Sequence, residues 1–383
     1  MTNREIMQSL LAGEQPAITP QWIMAISASE LIERIIPPEL MYEGYSLYLS
    51  GGQYPWRAMG EKLLQAQQRF NRHLDDVAFP VGWGANVAFG HGGPGEFAGH
   101  VIEDDGNRVI LEYETGAKKE VRLRPHNVHI FDLPVREMSD LDKLTLPDPA
   151  DPARYTGLAE DIAWAKAHGE WTIAYVNGIF SSVHYFLCEY ADYLMNLAGE
   201  PEFAQAMIDK VGAWTVAAAE RLCQLGVDCI GWCDDLGSQQ AMLISPAMYR
   251  QFIWPWHRKL CEVAHAHGAV VHMHSHGAIR LALPLIAEAG VDILNPLDPD
   301  DDMPMAAVRE AVGKKMVLCG GMNKHFWDWP ATQQAEHLRA VVAEGRRLGT
   351  HILMDSAGVA GNVTKENFDG FLKMSREIRG ERL

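Results

Sequence analysis

The sequence predicts an α/β fold: a (β/α)8 TIM barrel with an N-terminal extension and an inserted β-hairpin. Three observations point there. From about residue 154, short β-branched runs alternate with amphipathic stretches of helical spacing, the pattern of parallel strands joined by helices. Polar residues gather at the C-terminal ends of those runs, where a barrel carries its working groups. The chain has 383 residues, more than the roughly 250 of a bare barrel, so one domain over 1–383 has room for insertions.

The elements follow in order. Residues 1–75 read as an N-terminal helical part. Thr2 and Glu5 have capping-box spacing, and a longer amphipathic helix after Pro55 runs through Leu63, Leu64, Phe70 and Leu74. The turn signals Asp105-Gly106 and Thr115-Gly116 flank Val109–Tyr113, which places a β-hairpin or small meander at 98–124. This hairpin reads as a lid, an oligomer contact or a passive decoration. Regular β/α units fill 150–380. Their strands are Trp171–Val176, Val227–Trp232, Ala269–His274, Val291–Asn295, Lys315–Cys319 and His351–Asp355. Helices lie near 201–224, 245–267, 277–289, 303–312, 331–347 and 364–378, with Ser245-Pro246 a good helix start. No GxGxxG or GxxxxGK[ST] follows any strand, which removes the usual nucleotide-binding readings.

Composition narrows the function. Hydrophobic residues make up 48% and charged residues 22%, ordinary for a globular chain with a sizeable core. A net charge of −17 opposes binding to nucleic acid and to anionic lipid. No apolar run approaches the ~18 residues that span a membrane, and the start has no apolar signal core. The six cysteines show no CxxC pair, as expected of reduced thiols. The expectation is a cytoplasmic enzyme with a small-molecule substrate, no nucleic-acid or membrane partner, and homodimer formation left open.

Five strand ends carry the candidate chemistry: Trp232–Gly237, His272–Gly277, Asn295–Asp298, Cys319–Asn323 and Asp355–Gly358. Side chains alternate along a strand, so His272, His274 and His276 are expected on one face. Each neutral imidazole there needs a donor and an acceptor satisfied, and metal ligation is one economical solution. A hydrogen-bonded cluster that binds substrate without metal is the other. The metal set is taken as His274, His276, Cys319 and Asp355, with zinc or another divalent ion. Cys319 reads equally as a small core residue and Asp355 as a local cap. Asp234 and Asp235 are adjacent, so one of them points inward. They join His272 as catalytic candidates, for general acid–base work or metal ligation. Trp232, Asn295, Asn323 and Tyr175 are the substrate-binding candidates.

These residues resemble the uroporphyrinogen decarboxylase-like superfamily. The likeness rests on Asp-Asp-Leu-Gly-Ser-Gln at 234–239, Ser-Pro-x-x-Tyr at 245–249, Pro255 and His-Ser-His-Gly at 274–277. Gly-Val-Asp-Ile-Leu-Asn-Pro at 290–296, Gly-Gly-Met-Asn-Lys at 320–324 and Asn-Val-Thr-Lys-Glu-Asn-Phe at 362–368 extend it over roughly 150–380. The resemblance implies one of two chemistries on this barrel. True uroporphyrinogen decarboxylases carry an arginine-rich stretch near the N-terminus, whereas Met1–Ser50 holds only Arg4 and Arg34. The corrinoid-dependent methyltransferases hold zinc with His-x-Cys followed by Gly and a later cysteine. Here His276 stands at the cysteine position, and Asp355-Ser356 stands where the later cysteine is expected. A nitrogen- and oxygen-rich set suits thiolate activation less than sulfur ligands do.

The leading expectation is therefore a zinc-dependent methyltransferase or demethylase working with a corrinoid protein or corrinoid cofactor. The alternative is a metal-free decarboxylase or lyase of a small carboxylated or porphyrinogen-like substrate. A corrinoid- or porphyrin-binding carrier is the non-enzymatic reading.

Overall fold

The fold is given by a computed structural model, which describes residues 1–23, 31, 34–40, 61–82, 88–89, 99–123, 126–359 and 363–380. Eight parallel strands form one sheet: β1 (Gln21–Trp22), β2 (Ala78–Pro80), β7 (Trp171–Tyr175), β8 (Cys229–Cys233), β9 (Val270–His274), β10 (Ile293–Asn295), β11 (Val317–Gly321) and β12 (His351–Met354). Their order is β1-β12-β11-β10-β9-β8-β7-β2. The amide of Val77 donates to the Gln21 carbonyl at 2.9 Å and ties β1 to the segment entering β2. This contact closes the sheet into the barrel that the alternating pattern predicts.

The strands are apolar because they are buried on both faces. Trp22, Ile173, Cys229, Ile293, Val317, Cys319, Ile352 and Met354 share one buried cluster. By alternation, this is the barrel interior. Helix α1 (Asn3–Leu11), opened by the expected Thr2–Glu5 capping box, adds Ile6, Met7 and Leu10 to the same cluster. The amide of Arg4 donates to the Gly169 carbonyl just before β7, so α1 stops the N-terminal end of the barrel. With that end plugged, access is left at the C-terminal ends.

Outside the barrel lie α2 (Glu61–Leu74), α3 (Met138–Lys143), α4 (Leu158–Ala167), α5 (Ile179–Phe186), α6 (Tyr190–Gly199) and α7 (Pro201–Gln224). They are followed by α8 (Trp254–Ala266), α9 (Leu283–Ala289), α10 (Met305–Val312), α11 (Ala331–Leu348) and α12 (Lys365–Arg379). The single helix expected over 245–267 is instead a turn at Pro246–Met248, a π-helical segment at Tyr249–Ile253, and then α8. Pro255 explains the break, since it has no N–H to give the preceding turn and its ring crowds that turn's carbonyl.

The inserted element is the meander of the two forms expected at 98–124, and it runs on to residue 131. Strands β3 (His100–Asp104), β4 (Arg108–Glu112), β5 (Lys118–Leu123) and β6 (His126–Phe131) form a four-stranded antiparallel meander. Gly106 and Gly116 take positive φ of 88° and 86° at the two turns the sequence marks. The fourth strand was missed because His126–Phe131 has no turn signal of that kind before it. Among the described residues, no helix is long and apolar enough to cross a membrane.

Candidate active site at the barrel mouth

Parallel register decides which side chains share a level. Tyr175 pairs with Gly231, Gly231 with His272 and His272 with Ile293. One step nearer the mouth, Cys233 pairs with His274 and His274 with Asn295. The inward face of β8 is therefore Cys229, Gly231 and Cys233. A Cβ on Gly231 would stand 2.8 Å from the Tyr175 ring, so glycine there makes room for the tyrosine.

The same alternation sends Trp232 outward. It is fully buried between the barrel and α8, with its ring 5.3 Å from that of His257. This corrects its expected role, because a side chain behind the barrel wall does not touch a substrate at the mouth. The apolar strand gave no marker of which alternate set faces in.

Asp234 and Asp235 separate sharply. Asp234 is fully buried, and its carboxylate accepts from the amides of Ile179 and Ser181, both at 2.8 Å. His257 Nε2 lies 2.7 Å from it, and Tyr249 Oη lies 3.0 Å from His257 Nδ1. Asp234 thus anchors the start of α5 and is spent there. Asp235 is the carboxylate that reaches the mouth, with its side chain 53% exposed. It accepts from the His276 amide at 2.9 Å, and its Oδ1 lies 3.5 Å from His274 Nε2.

The three histidines occupy three depths. His272 is fully buried, with its ring 4.8 Å from Trp22 and 6.0 Å edge-on from Tyr175. Burial, with the neighbouring His274, pushes it down to about 3, and Asn295 acts the other way. His274 is held at Nδ1 by the Asn295 side-chain amide, which donates at 3.1 Å. Burial pushes His274 down to about 4, against a pull upward from Asp235. His276 donates from Nε2 to the Ser356 carbonyl at 2.9 Å and sets Nδ1 3.1 Å from Asp301.

Behind His276 stands a network the sequence did not show. Asp301 also binds the Lys324 ammonium. Asp298 accepts from the Lys324 amide at 2.9 Å and from the Ser356 hydroxyl at 2.5 Å. Asn323 bridges Asp300, at 2.8 Å, and the His325 amide, also at 2.8 Å. Its amide is committed at both ends, so the expected substrate contact becomes a loop brace.

The residues named as a metal set do not fit one metal ion. Among the described residues, no three His, Cys, Asp or Glu side chains lie together as a metal needs. Both nitrogens of His276 face other acceptors. Cys319 is fully buried, its thiol directed at Met354 Sδ at 3.1 Å, and burial raises it well above its ordinary range. Asp355 is buried too, and its charge acts on Cys319 and on buried Asp76. A bound divalent ion would require these contacts to be broken first.

Helix α5, which follows β7, carries an aromatic group. Ser181 Oγ donates to the Cys233 carbonyl at 2.7 Å, fixing α5 over the mouth. At the far end of α5, the His184 ring lies 4.3 Å from Tyr185 and 5.0 Å from Tyr190. The only sequence signal for this group was the aromatic density of the stretch after β7.

Comparison with known proteins agrees with this architecture. A family model described as Uroporphyrinogen decarboxylase (URO-D) matches residues 115–378, more than half of the chain. A uroporphyrinogen decarboxylase of Trichlorobacter lovleyi is 22% identical over 244 residues, covering 62% of this chain and 69% of that one. A methylated-thiol–coenzyme M methyltransferase of Methanosarcina mazei is 25% identical over 178 residues, 46% of each chain. The solved structure of a methyltransferase from Methanosarcina mazei matches with a TM-score of 0.67 at 15% identity, covering 99% of this chain and 100% of that one. This last likeness establishes the barrel fold.

Proposed function

Because the chain belongs to the uroporphyrinogen decarboxylase family, we propose that it transfers a methyl group between a small molecule and a corrinoid, with Asp235, His274 and Asn295 at the reacting end. The family includes decarboxylases, and relatives of both chemistries match this chain.

The observation that favours methyl transfer is the sign of charge at the mouth. A site that grips a polyacid presents unpaired cations to its carboxylates. Among the described residues, the basic side chains on the loops around His276 are already paired, Lys324 with Asp301 and Arg280 with Asp302. Asp235, exposed and acidic, would repel a carboxylated substrate.

A corrinoid, brought by a partner protein or bound directly, would supply the centre that accepts or donates the methyl group. The mouth offers it access, since Asp235 and His276 are both solvent-exposed in part. The chain's own residues then orient the substrate. Asn295 fixes the His274 ring through Nδ1, which leaves Nε2–H as a donor beside Asp235. That donor faces the lone pair left on the heteroatom as its methyl group departs. Asp301 and the Ser356 carbonyl keep His276 from rotating, and buried His272 with Trp22 forms the floor. Among the described residues the donor set does not converge on a metal ion.

The test is to incubate the protein with cob(I)alamin and a panel of methylated amines, thioethers and ethers. Appearance of the methylcobalamin spectrum with matching demethylated product supports the reading. A silent panel, together with carbon dioxide release from a carboxylated substrate, replaces it with decarboxylation.

A further inference from the structure

We infer that the mouth takes a cationic methylated substrate, an onium compound such as a quaternary ammonium or a sulfonium ion, seated between Asp235 and the rings of Tyr185, Tyr190 and His184. The inference rests on the methyl-transfer reading and names its substrate class.

Two independent features converge on this class. The first is a carboxylate left without a counter-ion. Asp235 is 53% exposed, and among the described residues no lysine or arginine pairs with it. The second is the ring cluster. Tyr185 and Tyr190 are 44% and 41% exposed, so both present ring surface to solvent. His184 packs against both and holds the three rings together. Ser181, one turn before Tyr185 on α5, donates to the carbonyl of Cys233, two residues before Asp235, which brings this helix to the same strand end; the Asp235 charge adds to the larger effect of burial in raising both tyrosine hydroxyls. A cation over aromatic faces gains from the ring quadrupoles, and quaternary ammonium recognition is the best-known use of such rings. A nearby carboxylate adds direct charge attraction.

The chemistry is consistent with the residues present. When a methyl group leaves an onium nitrogen or sulfur for a reduced corrinoid, the breaking bond's electron pair stays on the heteroatom. The leaving group departs as a neutral amine or sulfide, and no proton has to be delivered. The acceptor supplies the pair that forms the new bond to the methyl carbon. An acid at the mouth is not needed; what is needed is a place to hold positive charge.

Calorimetric titration with choline and with 3,3-dimethylbutan-1-ol, its neutral carbon counterpart, tests the inference. Choline is expected to bind about tenfold or more tightly than the alcohol. Asp235→Asn is expected to remove most of that preference, and Tyr190→Ala or Tyr185→Ala to weaken choline severalfold, with circular dichroism unchanged. Equal binding of the two compounds overturns the inference, as does an Asp235→Asn variant that keeps the full preference. Choline binding without methyl transfer from any donor supports the site and sinks the transfer reading. Methyl transfer from neutral donors alone, with no choline binding, overturns the substrate class and leaves the transfer reading standing.

Discussion

His257 Nε2 lies 2.7 Å from Asp234 Oδ2, and neither side chain has any exposed surface. The contact links α8 to the loop after β8, while the same carboxylate holds the first turn of α5. A carboxylate at a helix start satisfies orphan amides and meets the positive end of the helix dipole. Removing it leaves those amides and a buried imidazole unpaired.

Asp234→Ala is therefore expected to destabilise the fold by about 3–5 kcal/mol, since several buried partners lose their acceptor at once. Gly178→Ala should also be costly, because a Cβ there collides with the Cys233 carbonyl and Asp234. Chemical denaturation of both variants is the check. Wild-type stability in Asp234→Ala, paired with a loss of ligand binding, would return Asp234 to the mouth.

Stability should fall in acid in a definite window. His351 is fully buried, donates from Nε2 to the Gly320 carbonyl at 3.0 Å, and is pushed down to about 4 by burial. His272 is pushed down to about 3. Both folded values lie below the unfolded value near 6.5, so the unfolded chain binds more protons. Their contribution is whole above about pH 6.5 and is lost as pH falls toward about 4 and below. Buried Asp76, raised well above its ordinary range by burial, acts in the opposite sense. The histidines outnumber it, so denaturation midpoints should drop between pH 6.5 and 4.5. His351→Gln should flatten the slope by up to about 1.4 kcal/mol per pH unit at the acid end. An unchanged slope would contradict the assignment.

Cys319 should be dispensable for any metal the protein takes up. Its thiol faces Met354 inside the barrel and is raised by burial, the opposite of a ligating thiolate. Cys319→Ala is expected to lose about 1–2 kcal/mol of stability from lost packing. Zinc affinity, measured by competition with a chromophoric chelator, should stay within about twofold of wild type. A tenfold loss would place the sulfur in a metal shell.

Much of this site was legible because strand ends are. Register and alternation put His272, His274 and Asn295 on the inner face, as the run of apolar and polar residues implied. The phase of β8 was not legible, since Cys229–Cys233 is apolar throughout; packing against Tyr175 set it and turned Trp232 outward. The sequence showed that only one of Asp234 and Asp235 could enter the mouth. Which one depended on helix α5 claiming Asp234, a contact between residues 55 apart. Asp301 and Lys324 sit on loops whose local sequence carries no sign of His276. The metal set failed for a related reason: ligand types at strand ends say nothing about which nitrogens are already bonded.

Methyl transfer to cob(I)alamin from tetramethylammonium, by wild type, His274→Ala and Asp235→Asn, tests the central claim most directly. Wild type is expected to give equal amounts of methylcobalamin and trimethylamine. A loss of about tenfold or more is expected in each variant, since each removes a group that holds or orients the substrate. Variants as fast as wild type, or a wild-type protein inert toward every methylated donor, would contradict that claim.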